Sequence, residues 1–180
     1  NPTDRRTFDA SFLPYMYAGN TLALVSPDAD EDPGFDLLCA NMNSIVFDYI
    51  CRQKVQKNHL SWYIVEQLPV VPPDRYSSTK FGIKSARDIV RQAVLELVYT
   101  SNDMASFAKS LGCVDKDGNV LAPFAWDEEG RLQLMAKLNA LYFHLYGIND
   151  RDDVRYVFST FQVVEQEEIA AFGRYRSRDL

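Results

Sequence analysis

The sequence predicts an α+β chain: a mostly helical domain with a small sheet formed mainly by its N-terminal part. Three long segments carry apolar residues at helical spacing, beginning near Leu37, Ser85 and Asp127. Shorter apolar runs near residues 12–25, 62–71 and 114–121 end in turn-forming residues and suit strands. With 47% hydrophobic and 13% aromatic residues, a 180-residue chain can fill a substantial interior.

Taken in order, Phe12–Tyr17 and Thr21–Val25 read as two strands around the turn Ala18-Gly19-Asn20. Ser26–Gly34 is an acidic loop, with Asp32 placed to cap a helix that has Pro33 at its first position. The first long helix follows, its buried face marked by Leu38, Met42, Ile45 and Tyr49, with Val46 and Ile50 beside them. Asn43 and Ser44 interrupt that face and are placed to cap, kink or hydrogen-bond across. The helix runs into a basic stretch, Arg52 to His59. Ser61–Val71 then reads as a strand closed by Pro72-Pro73, and Asp74–Lys80 as a polar linker.

A second strong helix starts at Ser85, with Ile89, Val90, Ala93, Val94, Leu97 and Val98 on one face. Ser101-Asn102-Asp103 ends it and opens a shorter helix, Met104–Leu111, stopped by Gly112. Asp117-Gly118 between apolar residues is a hairpin turn rather than a calcium loop, since the glycine comes too early for the latter. Asp127 caps the third long helix, which reaches Tyr146-Gly147. Asp150–Phe158 and Glu165–Arg174 are two more helices. Residues 1–75 form an α/β segment and residues 76–180 a helical one, expected to join in one compact unit.

Three cysteines at 39, 51 and 113, without CxxC spacing, point to neither zinc nor a disulfide framework and suit a reducing cytoplasm. No run approaches the length of a membrane span, so no membrane partner is expected. The net charge of −6 is unevenly spread. Residues 52–91 hold eight basic and three acidic side chains, a balance of +5, which leaves −11 for the rest. Such a stripe on an acidic body can meet phosphate, and it can equally be solvated charge on a turn and a helix.

Several motifs in this order resemble the target-recognition region of large adenine-specific DNA methyltransferases. These include single-chain type II restriction–modification enzymes and related phage-defence methylases; type I specificity subunits show a looser version. The matching residues are Thr3-Asp4-Arg5-Arg6-Thr7, Phe12-Leu13-Pro14, Met42-Asn43-Ser44, Arg52-Gln53-Lys54, His59-Leu60 and Val65 to Pro73. Further on, Trp126-Asp127-Glu128-Glu129 and Leu138 to Gly147 continue the likeness. Where the family usually has small glycines after the basic triplet, this chain has Gln56, Lys57 and Asn58.

The resemblance implies a non-catalytic DNA-recognition module, with double-stranded DNA and the methyltransferase domain of a parent chain as partners. S-adenosylmethionine is expected in that parent and no cofactor in this chain. Asn1-Pro2 is followed by Thr3-Asp4 rather than by the Pro-aromatic pair that grips a flipped adenine, and no glycine-rich loop follows a strand. The chain is therefore expected to be a piece of a longer protein whose catalytic domain precedes Asn1. Candidate DNA contacts are Arg5, Arg6, Arg52, Lys54, Gln56, Lys57, Asn58 and His59. Arg5 and Arg6 either grip phosphate or form a solvated start, and Arg174, Arg176 and Arg178 form a second basic end. The competing reading is a helical scaffold that packs on the methyltransferase domain or on a partner subunit. A nuclease is disfavoured, because Pro73-Asp74 has no Asp/Glu-x-Lys partner downstream.

Overall fold

The computed structural model describes residues 4–14, 23–26, 34–55 and 60–180. Ten α-helices are found among them: α1 (Phe35–Met42), α2 (Ile45–Lys54), α3 (Trp62–Val65), α4 (Pro73–Ser78), α5 (Ala86–Val98), α6 (Ala105–Ser110), α7 (Glu128–Leu145), α8 (Arg151–Ser159), α9 (Gln162–Phe172) and α10 (Arg176–Asp179). One antiparallel hairpin, β1 (Lys80–Phe81) with β2 (Lys84–Ser85), leads into α5. The mostly helical α+β class is thus observed. The sheet, however, sits in the middle of the chain among the described residues, not in its first 75.

The long helix expected after Leu37 is two helices. Asn43 and Ser44 divide it: Ser44 adopts an extended backbone, and its Oγ accepts the Phe47 N–H that α2 leaves unpaired. The Ser44 hydroxyl in turn donates to the Asn41 carbonyl at 2.7 Å. The break lets α1 and α2 face different neighbours, which one straight helix cannot do.

Ser61–Val71 is not a strand. Leu60, Ile64 and Leu68 recur every four residues and pack with Phe47, Cys51 and Val55 of the α2 end, so the segment coils as α3 and a turn. A short apolar run fits either period, and here the α2 surface decides between them. Asp74–Lys80 is likewise no linker. Pro73 opens α4, and Tyr76 projects from its polar surface into the interior. Of the two N-terminal strands expected, residues 12–14 and 23–25 form no ladder; residues 15–22, with the Gly19-Asn20 turn, and the Asp32-Pro33 cap lie outside the described residues.

The other boundaries follow their caps. Ser85 and Asp88 exchange side-chain-to-backbone bonds in a capping box at the start of α5. Asp127 caps α7 and Asp150 caps α8. The Asp115 carboxylate accepts from the N–H groups of Asp117 and Asn119, and Gly118 takes φ 85 between the paired residues Val114 and Val120, so this is the expected tight turn.

The interior centres on α7. Leu138, Leu141, Tyr142 and Leu145 meet α1, α4 and α5, while Phe143 meets α2, α8 and the residues that follow it. Leu37, Val71 and Tyr76 lie in the same cluster as Val90 and Val94, so the interior crosses the division expected near residue 75.

A buried polar network ties these layers together. Asn41, with no solvent exposure, accepts from the Val71 N–H at 2.8 Å and donates to the Tyr146 hydroxyl at 2.7 Å. Tyr146 passes the chain on to the Pro69 carbonyl at 2.8 Å. Tyr76 donates to the Tyr142 hydroxyl at 3.2 Å, and Tyr142 to the Leu37 carbonyl at 3.1 Å. Burial holds all three phenols above their ordinary pKa, so they stay protonated and keep their donors. Asn41→Ala strands the Val71 N–H and breaks this network; it is expected to lower unfolding free energy by about 2–3 kcal/mol. Denaturant titration at neutral pH measures the change.

Candidate nucleic-acid interface

The sequence-derived candidates fall into three groups. The first is turned inward. Asp48, on α2, has no solvent exposure. Its two oxygens accept the Thr7 N–H at 3.1 and 3.2 Å, and it pairs with the Nε of both Arg6 and Arg52. Arg6 donates to the Asn43 carbonyl at 2.8 Å. Arg52 donates to the carbonyls of Asp4 and Arg5, both at 2.9 Å, and of Thr160 at 3.2 Å, with its guanidinium 4.1 Å above the Phe161 ring. A guanidinium spent on this many internal acceptors has little left for phosphate. Arg6 and Arg52 therefore clamp the N-terminal segment onto α2, and neither is an open cationic contact.

Asn43 completes the clamp. Its amide exchanges two hydrogen bonds with the Ala10 backbone, at 2.7 and 3.1 Å. The interruption that Asn43 and Ser44 make in the helical pattern is thus the docking point for residues 4–10. The i, i+4 spacing of Asp48 and Arg52 is the local signal of the knot; its other members come from the chain start and, at Thr160, from 108 residues downstream.

The second group faces water. Lys54 is exposed at the end of α2, and Arg5 is 64% exposed with Glu167 3.4 Å away. The third group, Gln56, Lys57, Asn58 and His59, lies outside the described residues. Two of the three arginines of the basic end are compensated, Arg176 by Glu129 and Arg178 by Glu165 and Asp179, while Arg174 is exposed.

The fold sorts the basic stripe of residues 52–91. Arg91 turns in to Asp36 at 2.9 Å, as Arg52 does to Asp48. Arg75 of α4, Lys80 and Lys84 of the hairpin, and Arg87 on the first turn of α5 stay exposed or half-buried, without an ion pair among the described residues. These elements pack on one another, so the four cations share a corner of the molecule. Its acids are Asp74 and Asp88. Hydrogen bonds from Ser85, then the charges of Lys84 and Arg87, hold the Asp88 carboxyl below its ordinary pKa.

Elsewhere an open groove of about 960 Å³ separates the N-terminal segment from α7. Asp4, Asp9, Glu128 and Glu168 line it, which suits it poorly to phosphate. Its arginines are engaged: Arg131 donates to the Leu97 carbonyl at 2.7 Å and lies 3.8 Å over the Trp126 ring. No described helix is long and apolar enough to cross a membrane. No family model, curated protein or solved structure matches this chain.

Two outcomes test this geometry. Asp48→Ala leaves two inward-facing guanidinium groups without their charge partner and is expected to cost about 3–5 kcal/mol, whereas Lys54→Ala should change stability by less than about 0.5 kcal/mol. Paired denaturation curves compare them. Burial also pushes the Cys39 and Cys51 thiols up to about 11. At pH 8 their thiolate fraction is then about 100-fold below that of an ordinary thiol, so native Cys39 should react with maleimide about 100-fold more slowly than the denatured chain. The rate should climb tenfold per pH unit up to pH 10.

Proposed function

We propose that this chain is a DNA-recognition module of an adenine-specific DNA methyltransferase or of a fused restriction–modification enzyme, and that it is not catalytic by itself. The resemblance in motif order supplies the family, and the distribution of charge supplies the physical case. The observation that carries it is the sorting of the basic stripe: Arg52 and Arg91 are neutralised within the fold, while Lys54, Arg75, Lys80, Lys84 and Arg87 remain available. The net charge of −6 weighs against nucleic-acid binding as a whole, so the reading rests on the local distribution of these cations.

In this reading the cations neutralise backbone phosphates and fix register, and polar side chains of the 52–59 stretch contribute base contacts. The methyl donor and the extruded adenine belong to a catalytic domain of the parent protein.

A second reading, the helical scaffold, has its own support. Trp62 and Tyr63 are 52% and 75% exposed on α3, and Tyr156 and Phe172 are 61% and 56% exposed on α8 and α9. Such side chains suit a protein interface as well as a nucleic-acid one.

Salt separates the two. Duplex affinity followed by fluorescence anisotropy from 50 to 300 mM salt should fall steeply. Lys54→Ala with Lys57→Ala should flatten the log–log slope by about 2, at roughly 0.9 per phosphate lost. Absent or salt-independent binding would favour the scaffold.

A further inference from the structure

The hairpin of β1 and β2 ends in the most exposed large apolar side chain among the described residues: Ile83, 98% exposed. Lys80 pairs with Ser85 and Phe81 with Lys84, which leaves Gly82 and Ile83 as the two turn residues. Gly82 takes φ 64 and Ile83 a negative φ, the pattern of a type II′ turn. The glycine is required there; the isoleucine is not, since polar residues serve that position in hairpin turns.

The base of the hairpin is fixed from both sides. Phe81 packs on the central cluster, 5.9 Å from the His144 ring. Ala86 donates to the Thr79 carbonyl at 2.8 Å, and Ser85 is locked into the capping box of α5. The tip is therefore held out by a rigid root.

Cross-strand partners share a face of a sheet, so Lys84 lies on the Phe81 face and Lys80 on the opposite one. Both lysines are exposed, with Arg75 and Arg87 on the elements behind them. A two-stranded ribbon fits the major groove of duplex DNA, whose depth is about 8.5 Å. Past the packed Phe81 only the turn projects, about 3 Å at about 3.3 Å per residue, so the Ile83 side chain rather than the ribbon reaches toward the groove floor.

We propose that the tip of the hairpin Lys80–Ser85 is presented to the major groove of duplex DNA, with Lys80 and Lys84 meeting backbone phosphates at its rim and Ile83 touching a thymine methyl group. This rests on the DNA-recognition reading and adds the element, the groove and the base feature recognised. The exposed cations beside the tip favour a polyanion as the occupant.

The test uses the 180-residue chain and a pool of random 30-base-pair duplexes, made with thymidine or with deoxyuridine throughout. A photoreactive benzoylphenylalanine replacing Ile83 should crosslink to the duplex. Ile83→Asp should weaken binding at least tenfold with an unchanged melting temperature, as expected for a side chain with no packing role. Lys80→Ala with Lys84→Ala should lower the salt slope by about 2. Deoxyuridine should weaken wild-type binding severalfold and leave Ile83→Ala unaffected. Salt-dependent duplex binding with no crosslink and no effect of Ile83→Asp would overturn the hairpin assignment and leave the DNA-recognition reading standing. Absence of duplex binding would overturn both, and crosslinking of position 83 to a second protein chain instead of DNA would overturn the groove assignment in favour of a protein interface.

Discussion

Asp48 carries a carboxylate with no solvent exposure, and the architecture of the first half of the chain answers to it. A buried carboxylate is tolerated only where opposite charge and hydrogen-bond donors surround it. Here Arg6 and Arg52 supply the charge and the Thr7 N–H the hydrogen bonds. Drawing them in brings the segment from Asp4 to Ala10 across α2 and gives it an ordered path without helix or strand. Arg52 then reaches the Thr160 carbonyl, so the same charge links the chain start, α2 and the α8–α9 junction.

Seven residues earlier, Asn41 does for neutral groups what Asp48 does for ions. Between them lies the break at Asn43 and Ser44, and the two networks need it. An unbroken helix would fix the angle between the Asn41 and Asp48 side chains; the break lets the first face the tyrosines of α4 and α7 and the second face the N-terminal segment. The backbone groups freed at the break are satisfied by Ser44, by the Asn43 turn and by the Asn139 side chain, which accepts the Ile45 N–H at 3.0 Å.

Much of this was legible in the sequence. The apolar faces of α5 and α7 and the caps at Ser85, Asp127 and Asp150 act within a few residues, so local pattern suffices. The turn at Gly118 is local too. Trp62–Val65 misled because a short run rich in Ile and Val fits either period until the surface it packs on is known. The polar stretch around Tyr76 hid a helix whose one inward side chain is surrounded by solvated neighbours. As for the candidate interface, the basic stripe was visible as composition, but Arg91 turns in to an acid 55 residues upstream, and Asp48, four residues before Arg52, is buried by a segment from the chain start that no linear window includes. A lone isoleucine between Gly82 and Lys84 looks ordinary in sequence until its exposure is known.

The arrangement around α7 also bears on how the chain can be divided. Val71 and Tyr76 are buried on the same helices as residues far downstream, and Phe143 closes the cluster that α2 opens. Neither half owns a private interior. A cut near residue 75 would bare one wall of each cluster to water, so the two pieces made separately would aggregate or stay loose until mixed. For the engineer this makes the chain a candidate for fragment complementation rather than a pair of portable parts.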